Sequence, residues 1–413
     1  MKKIDLLNCI ASYNENCFII FPDIPIVSKN GFVKKDELDT FFHETTHHFN
    51  FTSSLFCLQN LVYNYALAYY FSNWLQEYEI TRFPIKKSEI PQELKEKLNI
   101  YDNYNDLYGD IWYKDKSIPF VEIDNKNNLP RLIFKNKKKY KIGAHCILEY
   151  IGRNIDEHFI KLLKKDTFNF QYFPYLVLDD IFNYYITDCD KFSKLLIADY
   201  SLQYDNPGKK IIELIQEVKA NKIYNDFDKL KNYLFESLTN SKEYNEIKKS
   251  ILADIDIICL DQTDTELKLI FNTFKNIVSD SVEVLNNNNG LPLYFLLLKN
   301  DILNKPIEEI LQKLAPIIIA DKFEHPPFVV MAHNKFDSSI LTKAYLFMFG
   351  INHFVHNILL EKKYACPLSI FCADYDFKNN YYCQSKPWFY GKNNNGCALG
   401  KAFHFLKVKT TVG

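Results

Sequence analysis

Nowhere does this 413-residue chain carry an apolar run long enough to span a bilayer. Its most apolar windows, such as Leu291 to Leu298, fall well short of the roughly 18 residues that a membrane-crossing helix needs, so no membrane partner is expected. An excess of charge of one sign is also missing, because 50 basic and 51 acidic residues leave a formal net charge of −1. That balance gives no global reason to expect nucleic acid as a partner. Arginine is scarce: Arg82, Arg131 and Arg153 are the only three. The one lysine cluster, around Lys135 to Lys139, reads as the solvated tip of a hairpin, since no aromatic platform adjoins it. No C-x-x-C pair occurs among the ten cysteines, which excludes a zinc ribbon. The first residues, Met1-Lys2-Lys3-Ile4-Asp5, lack the apolar core of a signal peptide before Asn8 and Ser12, and the expectation is a cytoplasmic protein with reduced thiols.

Aromatic residues, by contrast, are abundant. The 34 Phe and 28 Tyr, within a hydrophobic share of 47%, supply a large core without help from disulfides. The length predicts two or three domains, or one core with a large extension. Residues 17 to 33 are β-branched and aromatic, broken by Pro22, Pro25 and Gly31, and read as one or two short strands. A small surface helix is expected from Pro91, then strands over Ile118 to Ile123 and Arg131 to Ile142, then a helix from Gly143 to about Lys164. Beyond Phe168 the pattern is mainly helical. Asn206-Pro207-Gly208 opens one helix through Val218, with Asn206 as cap and Pro207 at the first helical position. Further helices are expected near Phe227 to Leu238, Lys242 to Ile258, Thr265 to Leu285 and Ile307 to Ala320. Phe328 to Met331 reads as a short strand and Ser338 to Leu360 as a helix. The expected fold class is therefore α+β, mainly α, with a core over residues 1–165, a helical region over 166–289 and a C-terminal region over 290–413, the last boundary set at the Asn286 to Gly290 loop.

The chemistry concentrates in Phe41-Phe42-His43-Glu44-Thr45-Thr46-His47-His48, the one H-E-x-x-H of the chain. Apolar residues recur at spacings of three and four from Leu38 to Tyr65, and neither Pro nor Gly interrupts Lys34 to Trp74. The pattern predicts one long buried helix, capped by Asp36 or Asp39. On it His43 and His47 lie one turn apart on the same face, so both imidazoles can bind one metal ion, and Glu44 beside them can take a proton from a metal-activated water. His48 points about 100° away from His47 and is expected near the site or at the surface rather than on the metal.

A catalytic zinc ion commonly takes three protein ligands. The third is sought on the Gly143 helix, where His145 and Glu149 are four apart and face the same way; Glu149 is taken as the ligand. The pentad His43-Glu44-Thr45-Thr46-His47 resembles the active-site helix of zincin metallopeptidases. With a strand-rich segment before it and a glutamate-bearing helix far downstream, it is similar to the gluzincin branch, and the resemblance covers at most residues 17 to 165. It implies a zincin-like core with a small N-terminal β-sheet, Zn2+ held by His43, His47 and Glu149, Glu44 as general base, and a peptide or protein substrate. His145 stays open as a rival ligand or as a donor to the oxyanion, and Tyr150 as a further candidate donor. Arg153, one turn after Glu149, either orients it or forms an ordinary ion pair. The alternative function is a metal-binding interaction or regulatory module without turnover.

Two further groups could hold metal. His353 and His356 are three apart, and core or surface roles are the default for them. Cys366, Cys372, Cys383 and Cys397, with His404 after them, read as buried thiols rather than a structural zinc site, given their spacing.

Overall fold

The structure is a computed structural model, described here for residues 11–14, 19–22, 37–83, 85–110, 120–125, 129–164 and 174–260, and, in the C-terminal part, for portions of 268–298 and 346–359 and for 318–320, 328–330 and 398–409. It is α+β and mainly helical. Helices α1 (Leu38–Ser53) and α2 (Leu55–Glu77) come first, then α3 (Gln92–Asp106). Strands β3 (Phe120–Asp124), β4 (Arg131–Phe134) and β5 (Lys139–Lys141) form an antiparallel meander, and α4 (Ala144–Leu163) follows it directly. Next are α5 (Val177–Tyr185), α6 (Lys191–Ser201), α7 (Pro207–Ala220), α8 (Phe227–Thr239) and α9 (Lys242–Leu260). A second sheet joins the N-terminal hairpin β1 (Ala11–Asn14) and β2 (Ile19–Pro22) to β6 (Ile318–Ala320) and β7 (Phe328–Val330), with β2 and β6 parallel. The last described helix is α10 (Ala398–Phe405). No helix among the described residues is long and apolar enough to cross a membrane.

The expected single helix over residues 34–74 is two helices. Ser54 sits in extended backbone (φ −100°, ψ 136°) and its hydroxyl accepts from the amide of Cys57, starting α2. Three consecutive hydroxyl residues explain the break, because such side chains compete with the helical ladder. Thr52 donates to His48 O (2.8 Å) and Ser53 to Phe49 O (2.6 Å). The backbone groups freed there are met from the end of α6. Leu55 N donates to Gln203 Oε1 (3.2 Å), Gln203 Nε2 donates to Ser53 O (3.4 Å), and Phe56 N donates to Leu202 O (3.1 Å). The start also differs from expectation: Glu37 holds the cap position without a side-chain capping bond to the helix amides, Asp39 lies in the first turn, and Asp36 falls outside the described residues. Likewise the helix expected over 307–320 gives way to strand β6 at 318–320, the rest of that stretch being outside the described residues.

Helix α1 packs most extensively on α4. Phe42 stacks on Phe159 with centroids 4.1 Å apart and planes 11° from parallel, and Ile147, Ile151 and Ile155 bury the intervening turns. The start of α4 is fixed by backbone rather than by a capping side chain. Ala144 N and His145 N donate to Leu107 O (3.0 Å) and Tyr108 O (3.1 Å), two of the four amides that a helix N-terminus leaves open. Gly143 makes the crossing possible, since a Cβ there would lie 2.4 Å from Leu107 O. The Phe42–Phe159 stack thus fixes α4 against α1, and the amide bonds at Ala144 and His145 fix its start against the residues that follow α3.

Candidate metal centre

On α1 the four-residue spacing places the rings of His43 and His47 side by side, centroids 4.7 Å apart, and their Nε2 atoms approach to 3.0 Å. From α4, Glu149 reaches across, with Oε2 3.5 Å from His43 Nε2 and Oε1 3.7 Å from His47 Nε2. Among the described residues these three form the one group of His, Cys, Asp or Glu poised to hold a metal ion. A tetrahedral ion with ligands at roughly 2.0–2.2 Å has ligand-to-ligand edges of about 3.3–3.6 Å; the two Glu149 contacts lie close to that range, each through a different carboxylate oxygen, and the 3.0 Å between the imidazole nitrogens must open slightly to admit the ion. The side chains of His43, Glu149 and His145 keep 12%, 13% and 18% of their surface exposed, which leaves this edge of the site within reach of solvent.

Charge is arranged around His43. Its Nδ1 lies 2.8 Å from Asp156 Oδ2, the carboxylate–imidazole contact that fixes a ligand histidine's tautomer and leaves Nε2 for the ion. Burial opposes a charge on His43, yet Asp156, Glu149 and Glu44 together hold its pKa well above the ordinary value. His47 behaves oppositely. Burial, assisted by His43 and His145 against the pull of Glu149, lowers it to about 3, so it is a neutral acceptor. The two directions agree with the 3.0 Å contact: a protonated His43 donates from Nδ1 to Asp156 and from Nε2 to His47. A cation that replaced the Nε2 proton would meet three lone pairs. Burial also opposes ionisation of Glu149, but the imidazoles of His47, His43 and His145 outweigh it and hold the carboxyl well below its usual range.

Glu44 is buried next to His43 at 5% exposure, near enough for its charge to raise that histidine's basicity. His145 lies beside the group, Nδ1 3.9 Å from Glu149 Oε1, and is not one of the three converging residues. His48 is fully buried, which removes the surface reading. Tyr150 is also fully buried and its hydroxyl donates to Asp179 Oδ1 (3.3 Å), so it is engaged with α5 rather than with the ligands. Arg153 does not orient Glu149. Its guanidinium pairs with Asp179 Oδ2 (2.7 Å) and Glu157 Oε1 (3.4 Å), tying α4 to α5.

Sequence reasoning missed two residues here. Asp156 follows Glu149 by seven positions, two helical turns, so it returns to the same face, a signal that was available. Gly152 is the other: a Cβ there would stand 2.8 Å from His43 Cε1, so α4 carries glycine where the ring lies against it. His353, His356, Cys366, Cys372, Cys383 and Cys397 lie outside the described residues, and His404 is exposed on α10. No family model, curated protein or solved structure matches the chain. The metal centre therefore rests on its own geometry, a His-His-Glu cluster with H-E-x-x-H spacing that is consistent with a zincin-type site.

Proposed function

We propose that the protein is a zinc-dependent metallopeptidase that hydrolyses peptide bonds in a peptide or protein substrate. The observation that carries this reading is the convergence of His43, His47 and Glu149 with Glu44 buried beside them. Two imidazoles and one carboxylate also suit non-haem iron, and Glu44, placed as a base next to the donors, tips the choice to zinc. Zinc, when bound, supplies a Lewis acid and lowers the pKa of water. Glu44 takes the proton of the attacking water and delivers it to the leaving amine. His145, beside Glu149 at the edge of the group, would donate to the developing oxyanion. Asp156 holds the His43 ring through Nδ1. A closed four-donor site would have favoured a purely structural or regulatory module; a three-donor group with a solvent edge supports turnover.

Metal analysis combined with three variants tests the reading. The wild type is expected to carry about one zinc per chain, and His43→Ala and His47→Ala to lose it. Glu44→Gln is expected to keep metal and fold while peptidase activity falls by about 10²–10⁴-fold or more. An active Gln variant would end the mechanism, and a zinc-loaded wild type inert toward broad peptide libraries would favour the regulatory module.

A further inference from the structure

The turn that leads into α5 brings a second side chain to the metal centre. Tyr175, in the turn formed by residues 174–176, sets its ring 6.5 Å from that of His43 at a 56° tilt. It is half-buried, as are His43 and Glu149. Among the described residues it is the one aromatic ring besides His47 in contact with His43.

What holds Tyr175 there is traceable. Leu176, the next residue, accepts from Asp179 N through its carbonyl (3.1 Å), which ties the end of the turn to the first turn of α5. Asp179 is in turn gripped by two residues of α4, Arg153 Nη2 at 2.7 Å and the Tyr150 hydroxyl at 3.3 Å. Arg153 is 3% exposed, and its guanidinium lies 5.1 Å from the centroid of the Tyr150 ring. Tyr150 and Arg153 follow Glu149 on the same helix, the next residue and one turn on. The clamp thus couples the position of Tyr175 to the helix that delivers the third ligand. Arg153 is buried while Asp179 is part-exposed, and such a pair does little for net stability compared with apolar packing, so a positioning role accounts better for an arginine in a chain that has only three.

The geometry points to Tyr175 as a substrate-contacting wall beside the metal centre, one that favours an aromatic or large apolar side chain next to the scissile bond, with Arg153 and Asp179 as positioning residues that hold it in place. This inference rests on the hydrolytic reading above. The ring supplies apolar area and an aromatic face, and such a contact changes affinity by about two- to tenfold, or more when it is desolvated.

Binding of two hydroxamates to the zinc-loaded protein, one bearing only a methyl group and one a phenylpropionyl group, tests it without relying on turnover. Tyr175→Ala is expected to weaken the phenyl compound by about tenfold while leaving the methyl compound and zinc affinity unchanged. Tyr175→Phe should bind both as the wild type does, which separates a wall from a hydroxyl donor. Asp179→Asn should lose part of the same selectivity with zinc affinity intact, and Arg153→Lys, which keeps a charge for Asp179, should lose less. Equal binding of the phenyl compound by wild type and Tyr175→Ala overturns the inference alone. A loss of zinc affinity in Tyr175→Ala also overturns it, by making the ring a support for His43. A wild type that holds zinc yet binds neither hydroxamate overturns both this inference and the hydrolytic reading.

Discussion

Replacing Gly152 by alanine inserts one methyl group between α4 and the imidazole of His43. The added carbon would lie 2.8 Å from Cε1 and 3.1 Å from both ring nitrogens, whereas ordinary contact begins near 3.4 Å. The ring must therefore retreat by a few tenths of an ångström, or α4 must recoil. Neither movement is free: Nδ1 is tied to Asp156 at 2.8 Å, and α4 is locked to α1 through the Phe42–Phe159 stack. In the absence of metal the two effects on stability oppose each other. Alanine is better than glycine inside a helix by about 1 kcal/mol, and crowding of a packed contact costs about 1–3 kcal/mol. The net change in the apo protein should run from about zero to a loss of about 2 kcal/mol. Metal affinity has no such compensation, because the displaced ring no longer completes the triangle with His47 and Glu149, and a loss of about 10–100-fold is expected, the range seen when the support of a ligand is removed. Competition against a chromophoric chelator measures the affinity, and thermal unfolding in EDTA measures the apo stability. A variant that keeps full zinc affinity while its unfolding temperature rises would show that the ring yields freely, and would refute the argument that α4 fixes it.

Two further outcomes can be checked. Asp156→Ala should weaken zinc by about 10–100-fold, with Asp156→Asn, which keeps an acceptor but no charge, lying between it and the wild type; equal affinity in all three proteins would remove Asp156 from the support of His43. Asp199 is a fully buried carboxyl on α6 whose pKa burial pushes up to about 8 against a hydrogen bond from Gln203, and its Oδ1 has no hydrogen-bond partner. With the folded value above the unfolded one, the folded state keeps a proton that the unfolded chain releases. The stabilisation from that retained proton is complete below pH ~4 and is lost as pH rises to ~8, at about 1.4 kcal/mol per unit. Chemical denaturation of Asp199→Asn alongside the wild type should show a stability difference that grows in favour of the variant across that window and then levels off; a constant difference from pH 4 to 8 would mean that Asp199 ionises normally.

How much of this was legible in the sequence differs by element. The capping of α7 by Asn206, with Pro207 at its first position, could be read locally because both signals act within one turn of the chain. The hairpin tip over residues 135–138 was equally local, with Lys137 taking the positive φ of 62° that the turn needs. The pairing of His43 with His47 is likewise a property of helical geometry alone. The break at Ser54 was hidden, because the run from 34 to 74 holds no Pro or Gly and the groups that stabilise the break, Leu202 and Gln203, are about 150 residues away. Periodicity reports which residues face a core; it carries no information about which distant side chain satisfies an interrupted backbone.

The sequence by itself determined the donors that lie within one helix, since a spacing of four residues brings two side chains together whatever surrounds them. Tertiary structure decided everything that crosses between elements. It set Glu149 rather than His145 against the two histidines, because α4 meets α1 in the register held by the Phe42–Phe159 stack. It turned Arg153 and Tyr150 away toward Asp179, since the rotation of α4 that aims Glu149 at the histidines points their side chains at α5. It brought Asp156 and the bare backbone of Gly152 against His43, an arrangement that follows from how closely two helices pack and that neither helix encodes alone.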